Sequence, residues 1–218
     1  MNTTRQYIQT RRQRDTLARR DRILDATEAL LTQRAVHEIS ADEIAETADV
    51  ARATVFTQFG SKAGVLTALV DRMSERGGVA QLAAALGDPD PVAALDAVLE
   101  IGTGLWHNES ALYRALIAHA AVDPVVADAL ATKDMGRRHA VRQLAGRLAD
   151  GGQLADGVSR AEAERLLAVL TSYETHVQLA AGGRGRRAIV GGLRRLTAGF
   201  VPALTHTPAP ANHNRRQP

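Results

Sequence analysis

Apolar positions near the start of the chain recur with helical spacing. Ile23, Leu24, Thr27, Leu30 and Leu31 fall at i, i+1, i+4, i+7 and i+8. They form one face of a helix predicted from about Thr16 to Arg34, with Asp15 or Thr16 as its cap. Ser40 and Glu43 have the S-x-x-E spacing of a capping box, in which each side chain satisfies a backbone N–H left open at a helix start. A second helix is therefore predicted from Ser40 to about Asp49, with Ile44, Ala45 and Ala48 as its stripe. A short third helix follows from about Arg52 to Gln58, broken by Phe59-Gly60. Ser61 then caps a fourth from Lys62 to about Arg76. Asp-Pro pairs at 90–91 and 123–124 mark further helix starts. They predict helices over 91–107, 110–120 and 124–150. A second capping box, Ser159 with Glu162, opens a helix to about Ala181, and a last helix covers roughly 186–201. Period-two alternation is hard to find, so the fold class is all-α.

Composition narrows the classes. A chain of 218 residues suits one large domain or two small ones. Hydrophobic residues are 45% and charged residues 23%, which fits a globular core and not a disordered chain. No apolar run approaches the roughly 18–20 residues that span a bilayer, so no membrane partner is expected. The absence of cysteine excludes disulfide scaffolds, thiolate zinc sites and cysteine nucleophiles. The N-terminus, MNTTRQYIQTRRQR, lacks the apolar core of an export signal, so a cytoplasmic location is expected.

Charge is unevenly spread. Residues 1–22 hold seven Arg (5, 11, 12, 14, 19, 20, 22) against Asp15 and Asp21, a local excess of seven minus two, or +5. Residues 1–14 are read as a flexible basic arm, and the polar, proline-rich 205–218 as a disordered tail.

Residues 40–62 carry the functional signal. Two short helices joined by a tight turn, with a long helix before them, have the layout of a helix-turn-helix (about 40–59), whose second helix enters the DNA major groove. Val55 and Phe59 anchor that helix from behind. Its outward face carries Arg52, Ala53, Thr54, Thr57 and Gln58. Arg can pair with guanine edges and Gln with adenine. Thr54 and Phe56 suit backbone or thymine-methyl contacts, and Ser61-Lys62 is a candidate phosphate clamp at a helix start. The candidate DNA-binding set is Ser40, Ala51, Arg52, Ala53, Thr54, Phe56, Thr57, Gln58 and Lys62.

The stretch 44–66, IAETADVARATVFTQFGSKAGVL, resembles the signature of the TetR family. Ile44, Ala45, Ala48, Val50, Thr54, Val55, Phe59, Ser61, Lys62 and Leu66 carry the likeness, which extends over roughly 19–73. Four departures matter here, one of them Gly64 in place of a Glu in the fourth helix. Asp49 replaces the usual turn Gly and tolerates a left-handed backbone. Ala51 replaces a capping Ser, and Phe56 replaces a Tyr whose hydroxyl reaches a phosphate in the family. The resemblance implies an N-terminal helix-turn-helix domain (15–75) followed by a helical ligand-binding and dimerisation domain (76–204). It implies a homodimer on double-stranded operator DNA, released by a small-molecule effector. The helices near 159–181 and 186–203 would form the dimer.

Polar aromatics among the later helices, Trp106, His107, Tyr113, His119, Tyr173 and His176, are candidates for an effector pocket. The histidines lack i, i+4 metal spacing, so neither a metal nor a cofactor is expected. G-x-G-x-x-A at 183–188 follows a helical segment and not a strand, so it is no nucleotide fingerprint. No catalytic constellation is present, and the chain is read as a non-enzymatic regulator, a repressor. Two alternatives stay open on the sequence: a helical carrier or enzyme with a vestigial helix-turn-helix, and a DNA-binding activator.

Overall fold

The computed structural model describes the backbone of residues 3–206 and the side chains of residues 13–204. Among them are ten α-helices and two 3-10 turns, with no strand. In order these are α1 (Thr3–Leu31), a 3-10 turn (Val36–Glu38), α2 (Ala41–Thr47), α3 (Arg52–Phe59), α4 (Lys62–Arg76) and α5 (Val79–Leu86). Then come α6 (Pro91–Ala120), α7 (Pro124–Asp150), α8 (Arg160–Leu170), α9 (Tyr173–Ala180), α10 (Arg186–Ala198) and a second 3-10 turn (Pro202–His206). No helix among the described residues is long and apolar enough to cross a membrane.

α4 and α7 have their predicted bounds, α2, α3 and α10 agree within three residues at each end, and the other helices differ. α1 begins at Thr3 and not near Thr16, so helical backbone extends into the stretch expected as an arm. The chain has no Gly or Pro before Gly60, so nothing there interrupts a helix. The expected tail lies, from residue 207 on, outside the described residues. α5 was not predicted. Its sequence, VAQLAAAL, is rich in helix formers, and Gly78 launches it from a left-handed backbone (φ 87°). α6 is one helix of 30 residues and not two. Asn108-Glu109-Ser110 does not break it, because Glu109, Leu112 and Leu116 are buried at helical spacing.

The helix expected over 159–181 is broken at Thr171-Ser172. Ser172 caps α9 by accepting from Thr175 N–H at 3.2 Å. The Thr171 and Thr175 hydroxyls donate to the Leu167 and Val169 carbonyls at 2.8 and 2.6 Å. Three hydroxyls in five residues compete with the helical ladder for backbone partners.

The chain divides into two compact units. The first comprises residues up to 75 with 109–134, and the second comprises 76–108 with 135 onward. This differs from a single boundary near residue 76, because the end of α6 and the start of α7 group with the first unit.

The first unit is built on Ile23, Leu24 and Thr27 of α1, Ile44 and Ala45 of α2, Val55 of α3 and Val65, Leu66 and Leu69 of α4, all at most 4% exposed. Each such aliphatic side chain contributes roughly 1.5–3 kcal/mol by burial. The second unit buries Leu95 and Leu99 of α6, Leu144 and Leu148 of α7, Leu167 of α8 and Ile189 and Leu193 of α10 in one cluster. In the same unit Arg194 grips Asp96 with two hydrogen bonds (2.6 and 2.8 Å) and donates to Glu100 at 3.1 Å.

Candidate DNA-binding surface

The helix-turn-helix starts from a reciprocal cap. Ser40 Oγ accepts from Glu43 N–H at 3.1 Å, and Ser40 N–H donates to Glu43 Oε2 at 2.8 Å. Arg34 adds a hydrogen bond to Glu43 Oε1 at 2.8 Å. The Ser40 backbone N–H, the Arg34 guanidinium and the Ser40 hydroxyl hold the Glu43 carboxyl well below the usual range, at about 2. Ser40 is exposed at the mouth of α2, with its hydroxyl occupied by this cap.

The turn between α2 and α3 passes through Asp49 at φ 51°, the one described non-glycine residue with positive φ. Short polar side chains pay least for that backbone, and Val50 N–H closes the turn on the Ala45 carbonyl at 3.0 Å. α3 then begins at Ala51 without a side-chain cap. Val55 is fully buried behind it, so 51, 52, 53, 56 and 57 face out. Thr54 and Gln58 are half-buried at the edges of that face. Phe56 is 40% exposed, an unusual aromatic on an otherwise short and polar surface. Gly60 (φ 74°) ends the helix.

Two partners of this surface escaped sequence reasoning. Asp42 of α2 accepts from Arg52 Nη1 at 3.1 Å, and the Arg52 guanidinium lies 5.4 Å from the Phe56 ring centroid. Arg20, counted above only within a basic stretch, lies over the Phe59 ring at 4.4 Å and points Nη1 at the Gln58 carbonyl, 3.5 Å away. It thus backs the last turn of α3 with a cation, where helix carbonyls carry negative partial charge. No spacing rule joins residues 38 positions apart. A helix face pattern containing Arg20 beside Ile23 and Leu24 was the available signal.

Lys62 requires a correction. It was expected to offer its ammonium to a phosphate. Its Nζ instead donates to the carbonyls of Val36 and Ile39, the latter at 2.5 Å. Burial lowers its pKa, opposed by the carboxylates of Glu43 and Asp123. Ser61 caps α4 as expected, accepting from Gly64 N–H at 3.0 Å. At Gly64 a Cβ would lie 1.9 Å from the Phe59 carbonyl oxygen, so α4 starts hard against the end of α3.

The candidate effector residues separate. Trp106, His107, Tyr173 and His176 come together in the second unit, whereas Tyr113 and His119 belong to the first. The Trp106 indole donates to the Thr171 carbonyl at 3.0 Å and meets Tyr173 edge-on at 5.5 Å. The rings of His107 and His176 are 6.2 Å apart. His176 is 5% exposed, and its Nδ1 has no hydrogen-bond partner among the described residues. Burial first, and His107 second, lower its pKa. Beside it is a cavity of about 10 Å³, lined in part by Thr103, Trp106, Ser172 and Leu193, with room for about one water. In the first unit His119 Nε2 faces Asp123 Oδ2 at 3.3 Å.

Comparison with known proteins agrees with this geometry. Residues 23–69 match the family described as bacterial regulatory proteins, tetR family. An uncharacterised helix-turn-helix-type transcriptional regulator of Mycobacterium tuberculosis is 46% identical over 56 residues, which are 26% of this chain and 28% of the relative. Beyond that segment the likeness is one of fold. A transcriptional regulator from Saccharomonospora viridis in complex with choline superposes with a TM-score of 0.67 at 20% identity, over 84% of this chain and 97% of that one. SmeT, the repressor of the Stenotrophomonas maltophilia multidrug efflux pump SmeDEF, gives 0.66 at 18% identity, over 91% and 97%. A TetR transcription regulator from Haloarcula marismortui gives 0.66 at 19%, over 85% and 97%. Residues 23–69 therefore match the tetR family in sequence, and most of the chain shares its fold with these solved regulators.

Proposed function

We propose that the chain is a non-enzymatic, cytoplasmic transcriptional regulator that binds double-stranded operator DNA through α3 as a homodimer. The observation that carries this is the outward face of α3. Arg52, Ala53, Phe56 and Thr57 are exposed on a helix anchored from behind by Val55, in the segment that matches the family. Ala51, Thr54 and Gln58 complete the base- and phosphate-facing set, and the mouth of α2 at Ser40 lies beside it. Exposed apolar side chains support self-association through the later helices. Leu166 (37% exposed) and Val169 (60%) lie on α8, Val177 (44%) on α9 and Leu196 (52%) on α10. A two-fold pair would present two copies of α3 to half-sites one helical turn apart.

Repression relieved by a small molecule is the reading we favour for regulation. Trp106, His107, Tyr173 and His176 are its candidate effector contacts. The cavity beside them is far smaller than ligand pockets of roughly 300–1,000 Å³, so the effector must part their side chains to bind. The choline complex of the Saccharomonospora viridis regulator makes choline a first compound to screen.

The test is binding-site selection from a random duplex pool with the full chain, followed by titration of the recovered duplex against unrelated DNA at several salt concentrations. Recovery of a palindrome, and its loss with Arg52→Ala and Gln58→Ala together, supports the proposal. Binding that is equal on all duplexes and steeply salt-dependent overturns it.

A further inference from the structure

We infer that Lys62 is a positioning residue that fastens the 3-10 turn Val36–Glu38 to the start of α4, and not a phosphate contact. Its ammonium already donates to two backbone carbonyls, Val36 and Ile39, from 26 and 23 residues away. Both carbonyls lie just before the Ser40 cap that starts α2. Val36 and Ile39 are themselves buried, 5% and 2% exposed, so the turn is fixed at its side chains and at its carbonyls. Bonds from an ammonium to carbonyls are charge-assisted and short. To reach a phosphate, Lys62 would have to abandon both charge-assisted bonds, leaving the Val36 carbonyl with the Ile39 N–H at 3.2 Å and the Ile39 carbonyl without the ammonium. The other end of the same connector is equally constrained, because Gly64 brings α4 against the Phe59 carbonyl that ends α3. Residues 61–64 thus hold α2 from its N-terminal side and α3 from its C-terminal side. The angle at which α3 is presented depends on that connector.

This inference rests on the proposal that α3 binds DNA, and two experiments keep the two apart. The chain has only two lysines, Lys62 and Lys133. Lys133 pairs with Asp71 on the surface and is 42% exposed, so it serves as an internal reference. Limited acetylation of the free protein with acetic anhydride, read by mass spectrometry, should label Lys62 at least about fivefold more slowly than Lys133. Burial lowers the Lys62 pKa, which by itself would make its amine more reactive. Slow labelling therefore reports the tether. Equal or faster labelling of Lys62 in the free protein, with protection appearing only when DNA is added, overturns the inference.

The second experiment uses the duplex recovered by selection, at a temperature where each variant is fully folded. Lys62→Met should weaken binding by roughly tenfold without changing the slope of log affinity against log salt, and Lys62→Arg should restore most of it. A slope reduced by about one unit in Lys62→Met identifies a phosphate contact and overturns the inference. Unchanged affinity of folded Lys62→Met reduces the residue to a purely structural tie and also overturns it. If the wild-type chain recovers no duplex, the DNA-binding proposal falls. The labelling experiment still decides the tether.

Discussion

Arg52, the first residue of α3, reaches back to Asp42 in α2, Nη1 to Oδ2 at 3.1 Å, while its guanidinium stays near the Phe56 ring. Both partners of the ion pair are 62% exposed, so the pair contributes little to stability. It does set where Arg52 points in the free protein, and it places a carboxylate beside the surface proposed to face DNA. Asp42→Ala should change unfolding free energy by less than about 0.5 kcal/mol. It should strengthen DNA binding about threefold by removing that carboxylate. Arg52→Ala should weaken binding by about tenfold. Chemical denaturation and anisotropy titrations check both, and a weaker Asp42→Ala complex would mean that the aspartate orients Arg52 productively.

Glu43 makes the start of α2 sensitive to acid. Its carboxyl is lowered from 4.5 to about 2 by the Ser40 backbone N–H and Arg34. A depressed acid stabilises the folded state fully above its unfolded pKa and ceases to do so as pH falls through its folded value. The stability advantage of the wild type over Glu43→Gln should be constant from pH 7 to about 5 and shrink progressively between 4.5 and 2. Thermal melting against pH for both proteins gives the comparison. An advantage that persists undiminished at pH 2 would show that the charge of Glu43 is not what stabilises the cap.

Of the two glycines in the first unit, Gly64 is the one with no room for a side chain. Alanine there would place Cβ 1.9 Å from the Phe59 carbonyl oxygen, a backbone atom that no rotamer change can move away. Gly64→Ala should cost about 2–3 kcal/mol in urea unfolding. DNA affinity should fall with it, because the end of α3 must shift. A variant as stable as wild type would mean that α3 and α4 have slack at their junction.

His176 links pH to the second unit with the opposite chemical group and the same sign. Burial and the neighbouring His107 lower its pKa, so the folded state takes up its proton less readily than the unfolded chain. Its contribution is therefore complete above the unfolded value of about 6.5 and is lost as pH falls below it. Replacing His176 with Gln should flatten that loss below pH 6.5. Calorimetric melting of the two proteins across this range is the measurement, and parallel curves would assign the acid loss to other groups.

The parts of this chain that were legible in sequence are those whose chemistry is local. Ser40 and Glu43 announce a cap three residues apart, Asp49 marks a left-handed turn, and Val55 is the buried anchor expected behind α3. What stayed hidden depends on residues distant in sequence. Lys62 carries no signal that its partners are the carbonyls of 36 and 39, because a backbone acceptor has no side-chain identity to read. Arg20 looked like one charge among seven, and only folding sets it over Phe59. Tyr113 and His119 resemble Trp106 and His176 in type, yet residues 109–134 group with the first unit, a division that composition does not register. The break at Thr171-Ser172 was missed for a different reason. Ser159 and Glu162 gave a clear start, and the apolar residues from Leu166 to Leu170 gave no cause to stop.

That break has a consequence for how the proposed effector contacts can change over time. α8 and α9 are separate because hydroxyls of Thr171, Ser172 and Thr175 take backbone groups that a continuous helix would have used. The same interruption leaves the Thr171 carbonyl open to the Trp106 indole and sets Tyr173 edge-on to that ring. Losing a single oxygen, as in Ser172→Ala or Thr171→Val, would therefore re-aim a whole wall of the cavity without replacing any aromatic residue in it. On the proposed effector reading, mutational drift at these hydroxyls alters selectivity faster than drift at the rings themselves.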